Sequence, residues 1–253
     1  MSTAELVVLD DSAGVAHAAA HRLVTALGAA LGNSAHGADV VVTGGGVGIA
    51  MLAAVLDVPG YADLDWARVH VWWGDERWVP DGDPERNDEQ ARTALLDHLP
   101  LRPDRVHAMP ARRDGAAIDA DARSYADALA RRAHERGDDG SVPAFDVLLL
   151  GLGPEGHVGS VFPHASGISA DADTVISVVN SPKPPPERIT LTLPAMRHAQ
   201  QVWIIAAGAE KADAVAGIIA GRPEDELPAS GARGRDATLL IVDRAAAAKT
   251  AAP

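Results

Sequence analysis

Residues 145–157 read Phe-Asp-Val-Leu-Leu-Leu-Gly-Leu-Gly-Pro-Glu-Gly-His, an apolar run that leads directly into a glycine-rich segment. Short runs of Val, Leu and Ile bounded by glycine are typical of buried strands in a parallel sheet. The same pattern occurs at residues 39–46, Asp-Val-Val-Val-Thr-Gly-Gly-Gly, and at residues 69–76, Val-His-Val-Trp-Trp-Gly-Asp-Glu. The three segments predict strands that end in loops at one edge of a sheet.

Segments with helical periodicity separate these apolar runs. Apolar residues recur every four positions from Val15 to Leu31, which predicts a helix that ends near Gly32. Further helices are predicted over residues 49–56, 88–98, 119–135 and 212–220. Further strands are predicted over residues 6–9, 106–109, 175–179, 189–193, 202–206 and 239–242. This alternation predicts an α/β fold, with a largely parallel sheet and helices on both faces.

The composition is that of an acidic globular protein. The 253 residues include 22 Lys and Arg against 35 Asp and Glu, which gives a net charge of −13, and no run of basic residues occurs. Nucleic acid is therefore not expected as a partner. The absence of cysteine excludes disulfides, thiolate zinc sites and a cysteine nucleophile, so any catalytic groups must be oxygen or nitrogen atoms. The length fits one or two domains.

The sequence shows no pattern typical of secretion or membrane insertion. Near the N-terminus only four consecutive residues, 6–9, are apolar, and no basic region precedes them, unlike in a signal peptide. The longest uncharged stretch, residues 40–56, contains four glycines and is shorter than the roughly 20 apolar residues of a membrane span. We therefore expect a cytoplasmic protein without a membrane partner.

A ligand is expected beyond the carboxyl ends of the strands, as in other open α/β sheets. At one such end, Thr43, Gly44 and Gly45 lead into a predicted helix. Free backbone N–H groups at this turn can bind an anion, although an ordinary strand-to-helix turn would favour the same glycines. The GxxxxGK[ST] pattern of a phosphate-binding P-loop is absent.

His157 follows a glycine segment of the form GxGxxG at residues 151–156. A dinucleotide site is one interpretation, with Asp171 twenty residues after Gly151, but Pro163 leaves too little room for the helix that this motif requires. Alternatively, His157 acts as a general base, because a neutral imidazole can accept a proton from water near pH 7. A solvated or core histidine is the simpler interpretation and stays open.

Charged residues occur at other predicted strand and helix ends. Residues 75–77, Asp-Glu-Arg, belong either to a site or to a solvated turn with a local ion pair. Lys211 lies at a predicted helix start, where the macrodipole disfavours a cation, so it either binds an anionic ligand or stays solvated. A stiff proline-rich segment, either a site element or a rigid surface linker, carries Lys183 and Arg188. Together these groups suggest a small phosphorylated ligand with His157 near its reactive end.

Several segments together resemble the 6-phosphogluconolactonase family, within the wider superfamily of sugar-phosphate isomerases and deaminases. The matching segments are residues 43–46, residues 73–79 with Asn87, residues 150–163, and residues 183–192 followed by residues 208–211. Their order and spacing extend over nearly the whole chain, so the resemblance is more specific than any single glycine motif. It implies a Rossmann-like α/β fold and a single domain over residues 1–253.

The resemblance also implies a function and a set of site residues. The function is hydrolysis of 6-phosphoglucono-δ-lactone without a metal or organic cofactor, with a small sugar phosphate as the substrate and no obligate protein partner. The family's acid/base residue falls on His157, and the acidic residue that acts on substrate in related isomerases falls on Asp75. The family's phosphate and substrate contacts fall on Thr43, Gly44, Gly45, Arg77, Arg188 and Lys211.

The chain departs from the family's pattern in two places. Glu155 stands where Asp is common, which leaves open whether this carboxylate orients His157, and Gly46 offers no side chain for a contact. It is also open whether Lys183 contacts substrate. Two other functions remain as alternatives: an amino-sugar-phosphate isomerase or deaminase, and a non-catalytic sugar-phosphate sensor. A sensor needs the cationic groups but no general base, so His157 distinguishes these possibilities.

Overall fold

The computed structural model of the chain describes residues 4–169 and 173–250, so Asp171 lies outside the described residues. The strands are β1 (Glu5–Leu9), β2 (Ala38–Val42), β3 (Val69–Trp73), β4 (Asp75–Arg77), β5 (Val106–His107), β6 (Val147–Gly151), β7 (Val175–Val178), β8 (Arg188–Leu191), β9 (Gln201–Ala206) and β10 (Ala237–Asp243). The α-helices are α1 (Ser12–Asn33), α2 (Gly46–Ala54), α3 (Asn87–Ala94), α4 (Ile118–Arg136), α5 (Leu193–Met196) and α6 (Ala212–Ile219).

Seven strands form a parallel sheet in the order β1-β10-β9-β6-β2-β3-β5. Every neighbouring pair in this sheet is parallel, and β2 aligns Val41 with Trp72 of β3 and with Leu148 of β6. The α/β fold with a largely parallel sheet is therefore confirmed. Because all these strands run the same way, their carboxyl ends lie at one edge, where the glycine-rich loops after β2 and β6 meet.

The strands predicted over residues 175–179 and 189–193 do not join the parallel sheet. They form β7 and β8 of a separate antiparallel sheet in the order β4-β8-β7, in which Asp75 of β4 pairs with Thr190 of β8. The chain leaves the parallel sheet at Gly74, whose carbonyl accepts a hydrogen bond from Leu191 N at 2.9 Å. This small sheet therefore stands beside the carboxyl end of β3.

Helices cover the parallel sheet through apolar and polar contacts. The predicted apolar face of α1 is buried, and the Asp11 carboxylate caps this helix by accepting a hydrogen bond from Gly14 N at 2.8 Å. Such a cap contributes about 1 kcal/mol to helix stability. Helix α3 ends at Ala94, earlier than the predicted residue 98, and a short 3₁₀ turn follows it. Over the described ranges, no helix is both long enough and apolar enough to cross a bilayer.

A buried ion-pair cluster attaches α4 to the amino end of β2. Asp39 is fully buried and accepts hydrogen bonds from Arg132 Nη2 and Arg136 Nη1, each at 2.7 Å, and from Trp72 Nε1 at 3.0 Å. Although burial opposes ionisation, the hydrogen bonds and charge of Arg132 hold the pKa of Asp39 below its usual value. The cluster fixes the sheet end opposite the glycine-rich loops.

Candidate active site

A cleft of about 160 Å³ lies at the carboxyl ends of the parallel strands. It brings together every predicted site residue, namely Thr43, Gly44, Gly45, Asp75, Arg77, His157, Arg188 and Lys211. It is also lined by Asn87, Gly151, Leu152, Gly153, Gly159 and Lys183. Three sheet loops and the small antiparallel sheet therefore contribute to one site.

The glycine turn after β2 forms one wall of the cleft. Thr43 Oγ1 accepts a hydrogen bond from Gly151 N at 3.2 Å, which joins this turn to the loop after β6. Helix α2 starts at Gly46 directly after the turn. The N–H groups of its first turn have no intrahelical acceptors, so they can bind an anion at this edge.

His157 lies on the loop after β6, with 15% of its side chain exposed. Its ring packs against Phe162, with the ring centroids 4.6 Å apart, and lies directly over Gly153. A Cβ atom at position 153 would come within 1.9 Å of the imidazole Nδ1, so only glycine allows this ring position. The glycine-rich segment therefore serves to seat the histidine.

The GxGxxG segment does not form a dinucleotide site. Within residues 157–169, the chain makes an isolated bridge between Val158 and Val161 and then a 3₁₀ turn at Ser166–Ile168, with no α-helix. The helix N-terminus that would hold a pyrophosphate is missing from this part of the chain.

Burial and three neighbouring charges set the ionisation of His157. Burial is the largest effect and lowers the pKa of His157 below its usual value, and the positive charge of Lys183 lowers it further. The carboxylates of Glu155 and Asp75 oppose this shift. The net lowering keeps the imidazole neutral near pH 7, the form that can accept a proton.

Glu155 lies between His157 and Lys183. Its Oε1 is 3.0 Å from His157 Nδ1, within ion-pair distance but outside hydrogen-bond alignment, and its Oε2 is 3.4 Å from Lys183 Nζ. The longer side chain of Glu155 thus reaches the imidazole. A carboxylate beside Nδ1 favours the tautomer with the proton on Nδ1, which leaves the Nε2 lone pair free.

Asp75 does not lie in a solvated turn, so that interpretation of residues 75–77 is wrong. Asp75 is buried, and its Oδ2 accepts a hydrogen bond from Ser160 Oγ at 2.7 Å and lies 3.9 Å from Arg188 Nη1. Sequence reasoning did not single out Ser160, although it lies three residues after His157 in a matching segment. Ser160 attaches the His157 loop to β4.

Arg188 binds the proline-rich segment and also lines the cleft. Its Nε donates to Pro185 O at 3.1 Å, and its Nη2 donates to Lys183 O at 3.2 Å and to Pro184 O at 3.1 Å. These bonds fix the proline-rich segment that carries Lys183. Only the Nη1 side of Arg188 faces Asp75. Most of this guanidinium therefore shapes the wall, and one edge remains for a ligand.

Lys211 stands on the opposite wall, where a 3₁₀ turn meets α6. Its side chain is 18% exposed, and its Nζ lies 3.9 Å from Glu210 Oε1. Burial lowers the pKa of Lys211, Glu210 opposes that shift, and Lys183 lowers the pKa further. Arg77, Lys183, Arg188 and Lys211 thus provide a local cationic lining in a chain of net charge −13.

A family profile and several named relatives match nearly the whole chain. The sequence profile described as "Glucosamine-6-phosphate isomerases/6-phosphogluconolactonase" matches residues 10–241. A 6-phosphogluconolactonase of Streptomyces coelicolor is 50% identical over 98% of this chain and 95% of its own length. A Mycobacterium tuberculosis protein of the same name is 46% identical over 98% of each chain.

Solved structures show the same fold. The structure of 6-phosphogluconolactonase from Trypanosoma brucei is 25% identical, has a TM-score of 0.83 and covers 99% of this chain and 100% of its own. A monomeric glucosamine-6-phosphate deaminase, 19% identical with a TM-score of 0.76 over 97% of this chain and 99% of its own, shares the fold alone. From the profile match and the identities of its relatives, the chain belongs to the glucosamine-6-phosphate isomerase/6-phosphogluconolactonase family.

Proposed function

We propose that this protein hydrolyses 6-phosphoglucono-δ-lactone to 6-phosphogluconate, a step of the pentose phosphate pathway. The observation that carries this proposal is the His157 imidazole, packed over Gly153 in the same cleft as the cationic side chains Arg77, Lys183, Arg188 and Lys211. The names of the relatives with 44–50% identity support the same reaction. An imidazole is the group that such a hydrolysis needs to activate water.

The reaction divides into addition and ring opening. His157 Nε2 removes a proton from water, and the resulting hydroxide adds to the lactone carbonyl carbon. Backbone N–H groups of the glycine loop after β6, which carries His157, stabilise the oxyanion that forms. When the carbonyl re-forms, the bond from this carbon to the ring oxygen breaks, and the imidazolium returns its proton to that oxygen. The product acid then loses its proton to solvent.

Two carboxylates assist His157 without taking the proton from water. Glu155 and Asp75 each favour the charged imidazole, so they stabilise the imidazolium that exists between the two steps. Ser160 and Arg188 hold the Asp75 carboxylate in place. We assign Asp75 a catalytic role of this electrostatic kind.

The phosphate needs a cationic site away from the carbonyl. Arg77, Arg188, Lys211 and the N–H groups of the Thr43-to-Gly45 turn supply it in this proposal. A dianion bound between these groups would hold the lactone so that its carbonyl meets His157. Binding at the phosphate end therefore contributes to both affinity and orientation.

We further propose that residues 1–253 act as one α/β domain in the cytoplasm, without a nucleic-acid, membrane or obligate protein partner. The profile match over residues 10–241 and the contiguous apolar core support the single domain. The acidic net charge disfavours binding to nucleic acid or to anionic lipid.

Comparison of two substrates at matched concentration tests the function. Product formation from fresh 6-phosphogluconolactone is followed with a dehydrogenase that oxidises 6-phosphogluconate, and ammonia release is followed with glucosamine 6-phosphate. Acceleration of the first reaction alone is expected. Ammonia release would favour the deaminase alternative, and tight binding of sugar phosphates without turnover would favour the sensor.

A further inference from the structure

The guanidinium of Arg77 is only partly satisfied by the protein. Its Nη1 donates to Glu85 O at 2.9 Å and also to Asn87 Oδ1. Its Nε is buried and has no hydrogen-bond partner among the residues that the structure describes. With Nη1 engaged and Nε shielded, Nη2 is the guanidinium nitrogen left for a ligand, since it makes no hydrogen bond to the described residues. Because Arg77 lines the cleft, Nη2 can donate to an anionic ligand there.

Asn87 forms hydrogen bonds to β4 and packs against the glycine turn after β2. It is 3% exposed, its Nδ2 donates to Asp75 O at 2.8 Å, and its Oδ1 accepts from Arg77. The opposite amide orientation would place N–H groups against the guanidinium and an oxygen against the Asp75 carbonyl, so the contacts fix the amide. A Cβ atom at Gly44 would lie 1.9 Å from Asn87 Oδ1, which shows how closely the glycine turn covers this amide.

A buried carboxylate fixes Asn87 itself. Glu76 is 1% exposed and accepts hydrogen bonds from the backbone N–H groups of Arg77 at 2.8 Å, Asn87 at 2.7 Å and Asp88 at 2.9 Å. Two of these donors belong to the first turn of α3, which otherwise has no acceptors for them. Glu76 therefore holds the helix start and β4 in one rigid unit, with the Asn87 amide between them.

We propose that Asn87 is a positioning residue for substrate: by engaging Arg77 Nη1, it directs Nη2 of that guanidinium toward an anionic oxygen of the sugar phosphate. This inference rests on the proposed function of the cleft. An arginine whose guanidinium is held in a fixed position binds an oxyanion more tightly than a freely rotating one. Asn87 acts through Arg77 and does not take part in the chemical step.

A double-mutant cycle tests this inference. The kcat and KM for 6-phosphogluconolactone are measured for Asn87→Ala, Arg77→Ala and the double variant, together with calorimetric binding of 6-phosphogluconate. Asn87→Ala is expected to raise KM and weaken product binding by about tenfold or more, with a smaller change in kcat. In the Arg77→Ala background, the same substitution is expected to have almost no further effect.

Asp88→Asn is the matched control. Asp88 is the next residue of α3, equally buried, but its carboxylate pairs with Arg92 at 2.9 Å, so KM is expected to stay near the wild-type value. If Asn87→Ala does not fold, Asn87→Ser replaces it, because serine is favoured at helix N-termini and is too short to reach Arg77.

The outcomes separate this inference from the proposed function. A wild-type protein that neither hydrolyses the lactone nor binds the product would overturn the function itself. An active wild-type protein in which the losses from Asn87→Ala and Arg77→Ala are additive would overturn only the positioning role. An unchanged KM in folded Asn87→Ala would do the same.

Discussion

Replacing His157 with Gln removes the imidazole but keeps a polar side chain of similar length. A general base contributes typically 10²–10⁴ in rate, or about 3–5 kcal/mol of activation free energy. We expect a fall in kcat of about 10³-fold, in the middle of that range. Burial makes this imidazole less basic, whereas Glu155 at 3.0 Å and Asp75 stabilise the imidazolium. KM and product binding should change little, because His157 does not hold the phosphate in the proposed site.

The rates are measured in the coupled assay after subtraction of spontaneous hydrolysis. His164→Gln is the control, since His164 is 68% exposed and pairs with Asp225 at 2.7 Å rather than facing the cleft. Thermal unfolding of both variants shows that each is folded. A folded His157→Gln protein with a kcat within about threefold of wild type would refute the general-base assignment.

Three further predictions follow from the charges of the site and of the core. Because the lowered pKa of His157 lies below about 6.5, kcat/KM should stay high down to that pH and fall only at more acidic pH, as the imidazole becomes protonated. A profile of kcat/KM against pH with its acid inflection above pH 7 would contradict this. Lys211→Ala should raise KM for the phosphorylated lactone by about tenfold or more and leave hydrolysis of unphosphorylated gluconolactone almost unchanged. Equal losses on both substrates would show that Lys211 does not bind the phosphate. Asp39→Asn should lower the free energy of unfolding in urea by about 3–5 kcal/mol with KM unchanged, because it removes the carboxylate that pairs with the buried Arg132 and the half-buried Arg136. A loss under about 1 kcal/mol would contradict this. Since the folded pKa of Asp39 is depressed, its contribution to stability is present above about pH 4 and is lost as pH falls through the folded value.

The parallel sheet and the site loops could be predicted from the sequence because both depend on local patterns of residues. The apolar runs at residues 39–42, 69–73 and 147–150 are buried strands, and the glycines directly after them mark the edge where the cleft lies. Parallel strands must end at one edge, so residues far apart in sequence could be placed together before any contact was known. The gathering of His157 and Lys211 in one cleft follows from that rule.

The small antiparallel sheet was not predictable in the same way. Residues 75–77 are three charged residues, too few to show a strand period, and their strand forms only because β8 pairs with it more than 100 residues later. The hydrogen bond from Ser160 to Asp75 likewise joins positions 85 residues apart. Such partners depend on tertiary packing, which periodicity and motif spacing do not encode.

The decisive measurement is the initial rate of 6-phosphogluconate formation from freshly prepared 6-phosphogluconolactone, with and without the purified protein. We expect a rate that is proportional to protein concentration, well above spontaneous hydrolysis, and about 10³-fold lower when the His157 imidazole is removed. A folded wild-type protein that leaves the spontaneous rate unchanged would contradict it.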